Sequence, residues 1–478
     1  MTMPYYVAGR PTTTGEVREV VSPYDAEPVG AHAVPGAAEI EQAVAAAAAS
    51  LPTTRTLSAS TRAAALDHVS RRLVERADEV ADLIRGENGK PAMWAKAEVA
   101  RAVSTFRWAA EEARRFSGEL QRLDTDPSAT GRMALVRRFA GGAVLGISPF
   151  NFPLNLVAHK VAPAIACGAP IVLKPAPKTP LSALLLGDLL AETDLPEGSW
   201  SILPADDADA PGLVADPRLP IISFTGSERV GYAIQAAAPS KRVILELGGN
   251  AAAAVLADYN SDADLDWASS RIATFGNYQA GQSCISVQRV FVHTSLADEF
   301  TELLAAKVAD LATGDPADPL TVVGPMINEE AAARVESWIA EAVDAGARVL
   351  TGGTREGTTV APTLLADVPA DAKCVAEEVF GPVMSIATFD TDDELFDAIN
   401  SSRFGLQAGI FTHDVQVAFR AQAQLEVGGV IIGDVPSYRA DQMPYGGVKN
   451  SGVGREGLRH AMDDYTDVRV MVLTGLEL

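Results

Sequence analysis

AVLGISPFNFPLNLVAHKVAPAIACGAPIVLKPAPKTP, residues 143–180, runs from a short apolar strand through a Pro- and Asn-bearing loop and a helix into a second short strand. The same beat continues in SWSILPA (199–205), PIISFTG (220–226) and RVILELGG (242–249), each bounded by Gly or Pro. SALLLGDLLAETD (182–194) and the stretch after SFTGS read as helices between them. Short apolar strands that alternate with helices predict a parallel sheet covered by helices, because a parallel connection needs a crossover and buries both sheet faces.

Downstream the pattern repeats. DADLDWASSRIATFGNYQA (262–280) is helical and leads into the turn Gly281-Gln282-Ser283-Cys284; SVQRVFVH (286–293) follows as a strand and LADEFTELLAAKVADLA (296–312) as a helix. Helices near 329–345 and 391–400 alternate with strand-like RVLTGG (348–353), VMSIATF (383–389) and GGVIIG (428–433), a second α/β unit. Upstream, residues 36–50 and 59–86 carry helical periodicity, the second segment stopping at Gly86. ENGKP (87–91) breaks the pattern before a long helix over 92–117, with Val99, Val103, Phe106 and Ala110 near helical spacing. Residues 121–139 read as a polar turn joining two extended segments. The chain closes in DYTDVRVMVLTGL (464–476), a β-branched strand with no turn to return it. Such an edge predicts pairing with another subunit.

At 478 residues the chain exceeds one ordinary core, so two or three domains are expected. A net charge of −23, from 62 acidic and 39 basic residues, disfavours nucleic acid and anionic membrane, which both need a positive footprint. A few local Lys or Arg residues still suffice for a small anionic ligand. Three unpatterned cysteines, Cys167, Cys284 and Cys374, argue for a reducing compartment, and the start lacks a basic-then-apolar signal region. A cytoplasmic protein is expected, without a metal.

Chemistry collects in six stretches. Cys167, among small apolar residues, reads as a core thiol, and Cys374 as part of a polar turn. Cys284 sits on a turn where backbone N–H groups can flank a thiolate nucleophile, although a small buried hydrophobe is the plain alternative. In ISPFNFP (147–153) the Asn151 amide is placed to donate to an oxyanion or to form an Asx-turn. VLKPAPKTP (172–180) carries Lys174 at a strand's carboxyl tip, where α/β sheets bind ligands and where lysines are also simply solvated. ISFTGSERVG (222–231) places Ser227 near a helix N-terminus suited to phosphate, without the GxGxxG spacing. LELGGN (245–250) sets Glu246 on an apolar strand, which suits a general base or a buried ion pair. EEVFGP (377–382) joins a carboxylate pair to an aromatic before a Gly-Pro turn.

Taken in order, PFNFP, KPAP, FTGS, ELGGN, GQSC and EEVFGP, with PYGGVKNSGVGREG (444–457), resemble the aldehyde dehydrogenase superfamily over nearly the whole chain. The late loop VPSYRADQMPYGG (435–447) and the residues after Cys284 resemble its branch acting on lactaldehyde or on aldehydes bearing phosphonate or sulfonate. The resemblance implies an α/β fold with a Rossmann-like cofactor domain (1–120 and 140–247), a catalytic domain (248–450) and a small β oligomerisation element (121–139 and 462–478). It implies a homodimer or homotetramer.

It implies that Cys284 attacks the aldehyde, that Asn151 and the Cys284 N–H bind the oxyanion, that Glu246 activates water, and that Lys160 supports a relay. The NAD(P)+ site would comprise Ser148, Pro149, Phe150, Lys174, Ala176, Pro177, Gly226, Ser227, Leu247, Gly248, Glu378 and Phe380. Pro177 and Lys178 stand where many NAD-preferring members carry a glutamate, so NADP+ or dual use is expected. Arg107 and Arg439 are candidates for an anionic substrate tail, or ordinary ion-pair partners, and His159 hints at a polar tunnel. A CoA-acylating enzyme would transfer the thioester to a thiol and generally lacks the Glu246 base. A non-catalytic binding protein on the same fold is the remaining alternative.

Overall fold

A computed structural model describes residues 2–477; Met1 and Leu478, the outermost residues of the first and last expected segments, lie outside them. Five parallel strands form the centre of the first sheet in the order Arg242–Glu246, Ile221–Thr225, Val144–Ile147, Ile171–Lys174, Trp200–Ile202. Numbered along the chain this is 5-4-1-2-3, the Rossmann order. The order reverses between Val144–Ile147 and Ile221–Thr225, and the crevice at their carboxyl ends is where such sheets take ligands. Two antiparallel additions widen the sheet: Gly452–Val453 beside Arg242–Glu246, and Tyr5–Val7 with Arg10–Thr12 beyond Trp200–Ile202. The sequence reading had placed no strand in the first twelve residues.

The helix Asn155–Cys167 is buried at every position, pressed between the first sheet and the helix Ala92–Arg115. That explains why its apolar residues showed no face. It stops at Gly168, whose φ of 79° lets its N–H turn back to the last carbonyls. Upstream the boundary expected at Gly86 moves. The helices are Ala59–Glu75 and Ala77–Asn88, and the left-handed Gly89 (φ 72°) ends the second. Gly86 lies inside the helix because a helical glycine is tolerated where a neighbour, here Val29, packs close against it.

The second sheet runs Arg348–Thr351, Thr363–Ala366, Val383–Phe389, Arg289–His293, Ala252–Val255, Gln407–Phe411, Gly429–Ile432, parallel except at its first strand. The strand after Cys284 begins at Arg289, so residues 285–288 are not part of it. A third, antiparallel sheet orders Glu119–Arg122, Met133–Ala140 and Thr466–Leu473. The chain therefore returns to the first sheet at Gly452–Val453, and the helix Leu458–Asp464 packs its Leu458 and Met462 into the first core before the last strand departs.

Candidate active site

Cys284 lies past an abrupt turn at the end of the helix Asp262–Asn277. Gln279, Ala280 and Gly281 are all left-handed, with φ of 53°, 54° and 67°. Only glycine fits at the third position, since a Cβ there would approach the Gly381 carbonyl to 2.0 Å. Gln279 compensates its conformation by donating its side-chain amide to the Asn151 carbonyl. The Asn151 amide in turn donates to the Gln282 carbonyl at 2.9 Å. Two hydrogen bonds thus clip the PFNFP loop to the turn that carries the thiol.

The loop itself is held by ENGKP. Asn88 donates to the Phe150 carbonyl at 2.7 Å, and Lys90 sits 4.0 Å from the Phe152 ring centre while pairing with Glu98. The Glu98 carboxylate caps the next helix, accepting from the N–H groups of Leu154 (2.9 Å) and Asn155 (3.0 Å). Glu87 does the same for the helix Leu181–Ala191, accepting from the N–H groups of Leu181 and Ser182.

Glu246 is 3% exposed, and neither carboxylate oxygen has a hydrogen-bond partner among the described residues. The alternative of a buried ion pair is thereby set aside. Burial first, then the nearby Glu456 charge, raise its proton affinity well above the usual carboxylate range. Glu456, which the sequence reading had not singled out, is held at about 2: burial opposes its ionisation, but Lys160 and Arg439 outweigh it. Lys160 reaches Thr225 Oγ1 (2.7 Å), Ser223 Oγ (3.2 Å) and Glu456 Oε1 (3.4 Å) in full burial. Burial pushes the Cys284 thiol up to about 12, with the Tyr445 hydroxyl the largest opposing influence. Cys374, expected on a polar turn, is buried on the single-turn helix Lys373–Ala376.

A pocket of about 250 Å³ opens against this turn, walled by Trp94, Arg101, Phe152, Arg271, Tyr278 and Arg439 among others. Arg107 is not in it. It projects to solvent and stacks on Trp108 at 4.9 Å. Six residues along a helix rotate a side chain by about 240°, so Arg107 faces away from Arg101. The spacing Trp94, Ala97, Glu98, Arg101 is the periodic signal that marked the correct face. Arg101 binds Asp441 at 3.0 Å, and Arg271 holds Asp434 through two hydrogen bonds of 2.7 and 2.9 Å. Arg439 is nearly buried and binds Glu456 at 3.0 Å, yet its Nε has no partner. His159 does not line the pocket; it lies behind, with Nε2 3.1 Å from Asp441 and 3.3 Å from Arg439.

At the switch point of the first sheet a larger cleft, about 820 Å³, is lined by Ser148, Pro149, Phe150, Lys174, Ala176, Pro177, Gly226 and Ser227. Ser227 precedes the helix Glu228–Ala237, and its side chain caps none of the helix N–H groups. The buried Ser148 hydroxyl has no partner, and Lys174 binds Asp207 at 2.7 Å. Lys178 and Arg229 line the same cleft, exposed and without an ion-pair partner among the described residues. Free helix N–H groups, an unpartnered hydroxyl and surplus cations suit a dinucleotide phosphate.

Leu247, Gly248, Glu378 and Phe380 do not line the cleft. Glu378 accepts from the Gly249 N–H at 3.1 Å, and its charge adds to the rise in the Cys284 pKa. A Cβ on Gly248 would sit 2.0 Å from the Glu378 carboxylate. Phe380 meets Phe150 edge-on at 5.8 Å.

A family model described as the aldehyde dehydrogenase family matches residues 10–471. Among curated relatives, 3-sulfolactaldehyde dehydrogenase of Priestia aryabhattai is 42% identical over 469 residues, 98% of this chain and 97% of that protein. The NADP(+) succinate-semialdehyde dehydrogenase of Escherichia coli strain K12 is 37% identical over 470 residues, 96% of this chain and 95% of that protein. Among solved structures, aldehyde dehydrogenase 21 from Physcomitrella patens, in complex with the reaction product succinate, superposes with a TM-score of 0.97 at 42% identity, covering 100% of this chain and 99% of that one.

Proposed function

The chain belongs to the aldehyde dehydrogenase family, and we propose that it oxidises a small anionic aldehyde to the acid through a thioester on Cys284, with hydrolysis rather than thiol transfer as the last step. The observation that carries this reading is the convergence of three groups. A partly buried thiol, an amide clipped to its turn and a buried carboxylate without a hydrogen-bond partner among the described residues meet beside the switch-point cleft.

In this reading the Cys284 sulfur adds to the aldehyde carbon, and the Asn151 amide and Cys284 N–H stabilise the oxyanion. Each such donor is typically worth ~3–4 kcal/mol. Bound NAD(P)+ supplies the hydride acceptor. Ser148, Lys174 and Ser227 would hold it on the cleft side, and Glu378 and Phe380 on the thiol side. Glu246, as carboxylate, takes a proton from the water that attacks the thioester; its raised proton affinity suits a base acting near neutrality. Lys160 keeps Glu456 ionised, while its own charge partly offsets the rise in the Glu246 proton affinity. A base in this position supports water as acceptor over coenzyme A.

Surplus positive charge from Lys178 and Arg229, with Pro177 offering no carboxylate, supports NADP+ or dual use. For the substrate tail, Arg439 and the partly exposed Arg101 and Arg271 are the candidate donors on the pocket wall. Relatives named for sulfolactaldehyde and succinate semialdehyde support an anionic tail.

The strand Thr466–Leu473 leaves one edge unpaired among the described residues, and Val468, Val470, Met471 and Val472 are exposed on it. This supports a homodimer, or a tetramer of two dimers, completed across that edge. Three unbridged cysteines support a reducing compartment such as the cytoplasm.

Initial rates of cofactor reduction test the reading, over short aldehydes with and without acidic tails, for wild type and Cys284→Ala. Turnover that needs Cys284 and favours acidic tails is the expected result. Turnover surviving in Cys284→Ala, or dependent on added coenzyme A, would overturn it.

A further inference from the structure

Tyr445 has no role in the proposed reaction, although its side chain is within hydrogen-bonding distance of the proposed nucleophile. Its phenol oxygen lies 3.0 Å from Cys284 Sγ. The residue is 4% exposed and is fixed from two directions. Its backbone exchanges hydrogen bonds with Glu456, Tyr445 N–H donating at 3.0 Å and Glu456 N–H at 2.6 Å. Its ring carries the Arg439 guanidinium 3.8 Å from its centre. Among the described residues, no Lys, Arg or His nitrogen is hydrogen-bonded to the sulfur.

A thiol has to ionise to attack, and a thiolate only accepts hydrogen bonds. A hydroxyl fixed 3.0 Å from the sulfur therefore becomes its donor once the proton has left. Burial raises the Tyr445 pKa well above normal, so the phenol keeps its proton at every working pH. The guanidinium over the ring face draws electron density from the phenol and strengthens it as a donor.

We propose that Tyr445 is a catalytic residue whose hydroxyl donates to the Cys284 sulfur and stabilises its thiolate, with Arg439 polarising the phenol through its ring. The proposal rests on Cys284 as the nucleophile, but its test does not need turnover.

The measurement is the pH dependence of Cys284 alkylation by iodoacetamide, followed by mass spectrometry of the Cys284 peptide. Wild type is compared with Tyr445→Phe, which keeps the ring and its cation contact. Loss of a hydrogen bond to a charged group should raise the apparent thiol pKa by about one unit, slowing alkylation at neutral pH ~10-fold. The same ~10-fold deficit should appear in kcat/KM across the accessible pH range, which lies below the thiol pKa of about 12. An unchanged alkylation rate, or a loss of kcat/KM without a matching loss in alkylation, would overturn the proposal. If Tyr445→Phe does not fold, wild-type protein made with 3-fluorotyrosine supplies the second arm. A more acidic phenol should move the profile to lower pH, and no movement is the overturning result. Failure of the nucleophile assignment shows separately, as turnover in Cys284→Ala.

Discussion

Arg439 Nη2 stands 3.0 Å from Glu456 Oε2, with both side chains at most 5% exposed. This pair, with Lys160 on the other oxygen, keeps Glu456 charged deep in the protein. The fixed negative charge then acts on its neighbour Glu246, adding to the effect of burial. The proposed base is thus retuned by a carboxylate to which it makes no hydrogen bond.

The pH profile of kcat should carry that signature. A base works only when deprotonated, so activity is lost as pH falls through the raised Glu246 pKa. The acid limb should therefore lie well above the ordinary carboxylate value of about 4.3. Glu456→Gln removes the negative charge and leaves Lys160 and Arg439 unopposed. Both changes favour the Glu246 carboxylate, so the limb should move to lower pH. Steady-state rates across pH check the sign, and a shift to higher pH contradicts the coupling.

Glu246→Gln should separate the two halves of the reaction. Loss of a general base typically costs ~10²–10⁴-fold. That loss should fall on hydrolysis, so rapid mixing should still show a burst of reduced cofactor near one per site. Absence of the burst would mean that Glu246 is needed before the thioester forms.

Arg101→Ala should raise KM for acidic aldehydes ~10–100-fold, the scale of one charge-assisted hydrogen bond, and leave neutral aldehydes little changed. Arg107→Ala should alter neither, because that side chain faces solvent on another side of the helix. Equal effects of the two substitutions would remove Arg101 from the substrate site.

Cofactor choice should respond to the cleft's unpaired cations. Lys178→Ala combined with Arg229→Ala should lower the NADP+/NAD+ ratio of kcat/KM by about tenfold or more, chiefly through KM for NADP+. Unchanged ratios would place the phosphate elsewhere.

Lys90→Met should destabilise the fold by ~3–5 kcal/mol, since it strands the buried Glu98 charge without its partner. Urea unfolding followed by tryptophan fluorescence measures it. A loss under about 1 kcal/mol, the range of an exposed pair, would show that Glu98 is sustained by its helix cap alone.

Much of this molecule was legible along the chain. Gly- and Pro-bounded apolar strands alternating with helices announced two α/β units, because hydrophobic period and turn chemistry are local properties. Cys284, Asn151 and Glu246 were each weak signals singly, and became candidates through the ordered motifs that resemble the aldehyde dehydrogenase superfamily. The misplacements are also physical. Arg107 and Arg101 share a helix and a charge, and only the rotation of that helix against its neighbours tells them apart. The first-sheet strands near residues 5–12 are too short to show a period, and become strands by pairing with distant residues.

What the sequence determined alone is therefore the inventory: the α/β class, the order of its units, and, through the family resemblance, the candidate thiol and its candidate partners. Tertiary structure alone decided which charges meet. Tyr445, Glu456, Asp441 and Arg101 matter because segments hundreds of residues apart converge in a buried site, where Coulomb interactions are weakly screened. Such energies depend on distance and burial, and neither is written in the order of residues.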